Sequence, residues 1–439
     1  MNRPPQLKGS PITGHYGQFK KDPIKLLLRA SNELGDIFVL KAFSKSIYFV
    51  NHPDLIEYVS QTNYENYIKT PATPLRRILG DSIFTTDGEE WLQKRRLYQP
   101  ALNNTAIKQY FSLVRESTAE MMEDISTETA LHSAVNATRL MTNVTISVLG
   151  KTLFGSKLDF GQNIYGDIAT IMEWISDRRL RHPFVVPISW PTASNKRFLA
   201  AVKSMDQMIY RIIDEKKISD QNPHDLLSRF MNPEEGSLKL SPKSLRDEVM
   251  TIFMAGHETS ANVLNWTFYS LARHAEVQEK VFQEIISIEN GPLVYDDLHA
   301  LTYTSQVLQE TMRMYPPVWH FGRVTREADK VGGYDIPAGT ALRISPLTIH
   351  NRPEYWKNPE KFDPSRFDNP QAIKAFTHIP FGAGPRLCAG RNFAMMEMLL
   401  IITEVVKTYR LSYEGEPVQM SPMITLRSKG DISLVMEKR

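Results

Sequence analysis

The amino-acid sequence predicts a mainly α-helical protein with a small β region, organised as one domain. Helical periodicity covers most of the chain from about residue 87 to residue 320 and returns over about residues 391–409. Strand signals are confined to short stretches. The polar breaks near Asn222 and between Met231 and Ser244 are short, which indicates loops between helices rather than linkers. We therefore expect residues 1–439 to form a single domain, although the length alone would allow about three.

Two stretches carry the strand signals. The segment IFVLKAFSKSIYFV, from Ile37 to Val50, is rich in Phe, Ile and Val around a lysine and serine turn, which predicts a hairpin within a β-rich part of about residues 35–60. The later segment VGGYDIPAGTALRISP contains paired glycines, Ile-Pro and Gly-Thr. These residues are typical of short strands joined by tight turns, so we expect a small sheet there.

The middle of the chain is helical. The stretch from Ala201 to Lys217 places its apolar residues at helical spacing on one face. A longer helix is predicted to begin with Ser241 as its N-cap and Pro242 at the first helical position, and to run to His274. At 1.5 Å per residue it is roughly 50 Å long, which is enough to cross the domain.

The interior of this long helix breaks the local rules of helix composition. Gly256, Glu258 and Thr259 interrupt an apolar stretch, and a glycine inside a helix costs about 1 kcal/mol relative to alanine. Such conflicts favour a functional site, although a solvated surface facet would give the same pattern. The HExxH motif of zinc proteases is excluded because Ala261 stands where the second histidine is required.

Composition excludes several classes of protein. Lys+Arg of 52 against Asp+Glu of 49 gives a net charge of +3, which is too small to indicate nucleic-acid binding. Because no run of about 18 apolar residues is present, we expect no membrane anchor and a cytoplasmic protein. Cys388 is the only cysteine, which excludes an intramolecular disulfide and the metal sites that need several thiolates.

The surroundings of Cys388 form the most specific motif. The pattern F-x-x-G-x-R-x-C-x-G fixes Phe381, Gly384, Arg386, Cys388 and Gly390. Its glycines predict a turning loop whose backbone approaches another group closely. A buried structural thiol is the alternative, but such a thiol rarely needs this loop.

Two weaker signals lie on predicted helices. In WLQKRR, Trp91 and Arg95 are four residues apart and share a helix face. An ordinary basic helix with one packed indole would have the same pattern. Glu310 and Arg313 are three apart on a helix that Pro316 ends, and such pairs are common on helix surfaces.

Together these residues resemble the cytochrome P450 family of haem-thiolate monooxygenases, over nearly the whole chain and in the expected order. The resemblance implies a single-domain cytochrome P450 fold, a helical prism around haem b, with a haem-ligand loop at residues 381–390. It implies that Cys388 is the axial ligand of the haem iron and that Phe381 packs near its sulfur. The helix expected just after Cys388 would present its positive end to the thiolate.

The resemblance also implies roles for other residues. The haem propionates would be contacted by Trp91, Arg95, Arg323 and Arg386. A structural ion-pair cluster would consist of Glu310, Arg313 and Arg366. On the long helix, Ala255 and Gly256 would let the backbone lie close to the distal haem face, and Glu258 and Thr259 would be the catalytic acid and alcohol that deliver protons during dioxygen activation.

The family's substrate pocket is formed by its most variable segments. In this chain those segments supply Ile83, Phe84, Trp174, Phe253, Met254, Val318, Trp319, His320, Ile424 and Thr425. An apolar pocket favours hydroxylation of a fatty acid, a terpenoid or a similar lipophilic molecule. Arg76, Arg77, Trp319 and His320 leave open a second hypothesis, oxidative O-demethylation of a methoxy-bearing polar or sugar substrate with release of formaldehyde.

We expect the electrons to come from a separate protein, because no G-x-G-x-x-G follows a strand in these 439 residues and no flavin domain is found among them. The resemblance implies O2 as co-substrate and NAD(P)H acting through a reductase and a ferredoxin or flavodoxin, with the enzyme a monomer. A basic patch of Lys94, Arg96, Arg386 and Arg391 would suit an acidic partner, although ordinary solvated charge is an equal alternative. A haem sensor or carrier without turnover is the remaining alternative.

Overall fold

The computed structural model describes residues 2–69, 74–155, 164–177, 186–218, 225–233, 235–288, 291 and 293–439. The helices within these ranges are α1 (Tyr16–Lys21), α2 (Pro23–Leu34), α3 (Pro53–Glu57), α4 (Arg76–Leu79), α5 (Gly88–Tyr98), α6 (Asn104–Leu131), α7 (Ala137–Leu149), α8 (Ile164–Ser176), α9 (Ala193–Ile218), α10 (Leu226–Met231), α11 (Pro242–Arg273), α12 (Ala275–Ile288), α13 (Thr302–Met314), α14 (Pro346–Ile349) and α15 (Arg391–Thr408). The strands are β1 (Ile37–Ala42), β2 (Lys45–Val50), β3 (Tyr67–Ile68), β4 (Val135–Asn136), β5 (Phe321–Thr325), β6 (Asp329–Val331), β7 (Tyr334–Ile336), β8 (Ala341–Ile344), β9 (Tyr409–Ser412), β10 (Met420–Pro422), β11 (Leu426–Ser428) and β12 (Ser433–Lys438). The prediction of a mainly helical chain with minor β structure is confirmed.

The largest sheet has five strands in the order β1-β2-β8-β5-β3. Its first two strands form the predicted hairpin, with Ile37 opposite Val50. Strand β8 is parallel to β2 and antiparallel to β5, so the hairpin near the N-terminus is joined to a segment about 300 residues later. Apolar side chains of β1 and β2 are buried on both sides of this sheet.

Smaller sheets complete the β structure of the described ranges. Strands β6 and β7 form a hairpin around the paired glycines of the segment for which short strands and a small sheet are expected. Strands β10 and β11 form a second hairpin near the C-terminus, with Met420 opposite Ser428. Strand β12 pairs with β4 and β9 and ties the C-terminus to the helical region.

Helix α11 is the central element. Ser241 accepts a hydrogen bond from the backbone N–H of Ser244, and Pro242 occupies the first helical position, as the sequence predicts. Most side chains of its 32 residues are buried, and it contacts α7, α9, α13 and α15. The core therefore surrounds α11. No helix in the ranges described above is both long and apolar enough to span a membrane.

Candidate active site

The loop that carries Cys388 lies between a one-turn 3₁₀ helix, Gly384–Arg386, and the start of α15. The N–H of Cys388 donates to the carbonyl of Phe381 over 2.9 Å. Gly384 has a φ of +66°, and a Cβ at this position would lie 1.9 Å from the carbonyl oxygen of Ser60. Only glycine fits there, as expected from the motif. Gly390, in contrast, has a φ of −88° and open space around it, so crowding does not explain that glycine.

Cys388 is accessible to solvent, although many protein atoms surround its sulfur. Burial raises its pKa, whereas a hydrogen bond from the backbone of Gly390 and the positive charges of Arg95 and Arg391 act to lower it. A metal ion bound at the sulfur would favour loss of the proton. The described residues contain no cluster of three or more metal-binding side chains, so a single sulfur donor fits a metal that brings its other ligands with it, as haem iron does.

A cluster of three cations, of which Arg323 is buried and Lys69 and Arg386 are partly buried, lies on the sheet side of this loop. Burial and mutual repulsion lower the pKa of Lys69 to about 7 and that of Arg323 to about 10, and burial lowers the pKa of Arg386 to about 10. Asp87 is the only carboxylate of the described residues that stabilises the charges of these three cations, and it accepts a hydrogen bond from Arg386. The guanidinium of Arg386 lies 3.9 Å from the ring centre of Trp91. This excess of positive charge fits the two propionates of haem.

Lys69 is the member of this cluster that sequence reasoning missed. It directly follows β3, and its backbone N–H donates to Asp87 over 2.8 Å. Its side chain lies 4.4 Å from the ring centre of Phe84. Nothing in the local sequence distinguishes it from a surface lysine, because its position depends on the pairing of β3 with the distant β5.

Glu310 and Arg313 form a fully buried ion pair on α13. The guanidinium of Arg313 donates to both carboxylate oxygens of Glu310, over 2.7 and 2.8 Å. Arg366 adds a third contact to Glu310 at 3.2 Å. The three residues that the resemblance groups together are therefore in contact, and the alternative of an exposed surface pair is wrong.

One face of α11 lines a cavity of about 240 Å³. Thr251, Met254, Ala255 and Thr259 contribute to it at spacings of three and four residues, which is the repeat of one helix face. The hydroxyl of Thr259 donates to the carbonyl of Ala255 over 2.8 Å.

Gly256 does not face this cavity. A Cβ at Gly256 would lie 2.9 Å from a methyl carbon of Leu149 on α7. The small residue is therefore needed for the packing of α7 against α11, and its role beside the haem stays a prediction.

Glu258 is buried beside the cavity rather than in it. It accepts a hydrogen bond from the hydroxyl of Thr425, and Arg427 approaches the same oxygen with Nε at 2.7 Å and Nη2 at 2.5 Å. Its Oε2 is buried without a hydrogen-bond partner among the described residues. Because Thr425 lines the cavity, its hydroxyl connects the acid with the cavity.

The structure brings six of the ten predicted pocket residues to the cavity. They are Phe84, Met254, Val318, His320, Ile424 and Thr425. The other lining residues include several that the sequence did not single out, among them Ile78, Leu79, Met172, Ser176, Met423 and Arg343. Helical spacing from Thr259 would have found Thr251, but no comparable signal marks the others.

Four predicted pocket residues lie elsewhere. Trp174 is buried on the far side of α8, stacked on Phe198 at 3.7 Å, and its indole donates to Asn195. Trp319 is buried in the core under the sheet, where its indole donates to the carbonyl of Met423. Phe253 is fully buried on the side of α11 away from the lining face, and Ile83 packs on the core with its N–H bonded to Glu248.

The predicted basic patch is also smaller than expected. Lys94 is buried and ion-paired with Glu248 and Glu90, each at 3.2 Å, so it is not available to a partner. Arg386 is half-buried and paired with Asp87. Arg96 and Arg391 are exposed.

Comparison with known proteins agrees with the family resemblance seen in the sequence. The Cytochrome P450 family model matches residues 4–435. Cyclooctatin synthase of Streptomyces melanosporofaciens is 28% identical over 98% of this chain and 95% of its own length. Cyclooctat-9-en-7-ol 5-monooxygenase of the same organism is 29% identical over 91% of this chain and 88% of its own length. Pentalenene oxygenase of Streptomyces avermitilis is 27% identical over 92% of this chain and 90% of its own length.

Proposed function

Because the chain belongs to the cytochrome P450 family and is a monooxygenase, we propose that it inserts one oxygen atom from O2 into a C–H bond of a small lipophilic substrate. The observation that carries this proposal is the cavity along α11, in which the hydroxyl of Thr259 lies among mainly apolar side chains. Such a cavity suits a molecule with few polar groups. The names of terpenoid-oxidising relatives support a terpenoid or similar substrate.

Cys388 would hold the iron of haem b, and Trp91, Arg95, Arg323, Arg386 and Lys69 would hold its propionates. When haem is bound with a thiolate ligand, it would supply the chemistry that activates dioxygen. The glycine loop keeps the sulfur in place, and the backbone N–H of Gly390 and the charges of Arg95 and Arg391 favour its anionic form. Phe381 begins this loop, and the guanidinium of Arg391 lies 5.9 Å from its ring centre.

Protons would reach the cavity through side chains of α11 and of the β10–β11 hairpin. Thr259 would present a hydroxyl to the reacting oxygen, and Glu258 would supply protons from its buried position. Thr425 lines the cavity and its hydroxyl donates to the acid, and Arg427 donates to the same carboxylate oxygen. Mainly apolar walls exclude water from the rest of the cavity, which favours transfer along these defined groups.

The electron donor would be a ferredoxin or flavodoxin supplied with electrons from NAD(P)H by a reductase. Arg96 and Arg391 are the exposed cations on the Cys388 side that could meet an acidic partner. Lys94 has no part in this surface, because it is buried in an ion pair.

Oxidative O-demethylation of a methoxy-bearing polar or sugar substrate is the second candidate. Arg76 and His320 line the cavity and favour it. Trp319 no longer supports it, because the buried indole has no face to offer a sugar ring. A haem sensor without turnover is not retained, since the chain is a monooxygenase.

The ligand assignment is tested by Cys388→Ser. The variant should lose the carbon monoxide difference band that is typical of haem-thiolate proteins, because the thiolate ligand is replaced. Retention of that band would refute Cys388 as the ligand.

The relay is tested by Thr259→Ala in the reconstituted system. We expect continued NAD(P)H consumption with most electrons diverted to hydrogen peroxide. Thr267→Ala is the matched control, because Thr267 makes the same hydrogen bond to the carbonyl four residues earlier but does not line the cavity. Equal product yield per NAD(P)H in both variants would remove Thr259 from the mechanism.

A further inference from the structure

Two buried methionines line the cavity along α11 from different helices. Met254 lies on α11 and Met172 lies on α8, with 6% and 4% of their surface exposed. Met254 directly precedes Ala255, whose carbonyl accepts the hydrogen bond of the Thr259 hydroxyl. Peroxides oxidise a methionine thioether to a sulfoxide, which is a polar group. Because both side chains are shielded from bulk solvent, an oxidant formed in the cavity would reach them more easily than one outside.

Each of these methionines has an unused hydroxyl one helical turn away. Thr251 is three residues before Met254 on α11, and Ser176 is four residues after Met172 on α8. Residues at these spacings are neighbours on a helix surface, with about 5–6 Å between their Cβ atoms. Both hydroxyl groups belong to residues that line the cavity. Their oxygens are buried and have no hydrogen-bond partner within the part of the chain that the structure describes.

The hydroxyl of Thr251 differs in this respect from others on the same helix. Thr259, Thr267 and Ser270 each donate to the carbonyl four residues earlier. A buried hydroxyl that lacks a partner costs free energy, so most such groups in proteins are paired. Thr251 is therefore suited to an acceptor that is absent from the unmodified cavity. An oxygen atom added to the neighbouring Met254 would be such an acceptor.

We propose that Met254 and Met172 are oxidation sites, at which hydrogen peroxide formed in the cavity converts each thioether into a sulfoxide. This inference rests on the proposed function for the source of the peroxide, which arises when O2 takes up two electrons and two protons without oxidation of a substrate. The sulfoxide oxygen accepts the hydrogen bond of Thr251 or of Ser176. Methionine sulfoxide reductases reverse the modification.

The oxidation step is a transfer of one oxygen atom. The sulfur lone pair attacks one oxygen of hydrogen peroxide, and the O–O bond breaks. The proton on the attacked oxygen moves to the departing hydroxide, which leaves as water. Sulfur loses two electrons, and the peroxide gains them.

The sulfoxide changes what the cavity can bind. It places a strong dipole among mainly apolar side chains, and it takes up the space and the hydrogen bond beside Thr251. The oxidised protein therefore binds a lipophilic molecule about tenfold more weakly than the unmodified protein does.

Peptide mass spectrometry of the haem-loaded protein tests the two sites. One sample turns over in air with a surrogate ferredoxin, its reductase and NAD(P)H but no substrate, and catalase in the solution destroys peroxide that escapes. A second sample receives reagent hydrogen peroxide without catalase or an electron supply. Met254 and Met172 should each gain one oxygen atom in both samples. Met250 should gain none, because it is fully buried on α11 and does not line the cavity.

Met420 serves as the marker for peroxide in bulk solution, because it is partly exposed and does not line the cavity. It should stay unmodified in the first sample and be oxidised in the second. Dodecanol binding, read from the optical shift of the haem, should weaken about tenfold after turnover and recover after treatment with sulfoxide reductases of both epimer specificities. The double variant Met172→Leu with Met254→Leu should bind dodecanol equally well before and after turnover.

Three results separate this inference from the proposed function. Oxidation of Met250 to the same extent as Met254 would overturn the sites, and so would unmodified Met254 and Met172 in a second sample in which Met420 is oxidised. Neither result affects the hydroxylase proposal. Oxidation of Met254 in the second sample, with no NAD(P)H consumed in the first, would support the sites and count against the proposed electron supply.

Discussion

Replacement of Arg313 by methionine should destabilise the protein far more than removal of an ordinary ion pair. Arg313 is completely buried on α13, and its guanidinium donates to Glu310, to the carbonyl of His350 over 2.9 Å and to the carbonyl of Pro359 over 2.8 Å. Methionine fills similar space but offers no donor. Among the residues that the structure describes, the carboxylate of Glu310 would keep only Arg366 and the N–H of Asp363.

The size of the effect follows from what is left unpaired. Breaking a buried ion pair by removing one partner costs about 3–5 kcal/mol, since the remaining charge is uncompensated. The two freed carbonyls add to this cost unless water reaches them. We therefore expect a loss of about 4 kcal/mol in the free energy of unfolding, which is a large part of the stability of a typical protein.

Urea unfolding of the haem-loaded protein, followed by far-ultraviolet circular dichroism, measures this loss. Arg29→Met is the control, because Arg29 and Glu33 form an exposed pair four residues apart whose side chains are 47% and 50% exposed. That pair should contribute only about 0.3–0.5 kcal/mol. If Arg313→Met costs less than about 1 kcal/mol, or no more than the control, the buried pair does not have the structural importance assigned to it.

Three further predictions concern the core and the haem site. Gly256→Ala should lower the free energy of unfolding by about 1–3 kcal/mol, because its Cβ would meet Leu149. In urea titrations the double variant with Leu149→Ala should recover part of that loss, and additive losses would contradict the contact. Burial raises the pKa of Glu397 to about 8 from 4.5, so the native protein binds a proton that the unfolded chain has released. The free energy of unfolding should therefore fall as the pH rises from 4.5 to about 8, and this group should contribute up to about 1.4 kcal/mol per pH unit. Glu397→Gln should remove that contribution to the slope. An unchanged slope would show that Glu397 titrates normally. Lys69→Met should increase the rate of haem transfer to apomyoglobin about tenfold, because the haem would lose one charge-assisted hydrogen bond. An unchanged rate would exclude Lys69 from the propionate site.

Features that depend on residues close in sequence could be predicted before the structure. The capping of α11 by Ser241 is of this kind, and so is the tight turn at Gly384. The contact between Glu310 and Arg313 follows from their spacing on one helix. In each case the relevant geometry is set within a few residues, so composition and spacing are sufficient.

The orientation of individual side chains could not be predicted in the same way. Phe253 and Met254 are neighbours on α11, but only Met254 reaches the cavity, because the rotation of a helix is fixed by what packs around it. Trp319 is held by a carbonyl about 100 residues later, at Met423. Lys94 resembles a surface lysine until α5 packs beside Glu248. These contacts depend on tertiary packing, which no local pattern encodes.

The arrangement around Glu258 has a consequence for protein engineering. The counter-charge of this acid, Arg427, belongs to the hairpin β10–β11, which begins only 20 residues from the C-terminus. A chimaera that exchanges the C-terminal segment with a relative would also exchange the charge and the hydroxyl that face the central helix. Grafts intended to change substrate preference through Ile424 should therefore retain Thr425 and Arg427, or replace Glu258 at the same time.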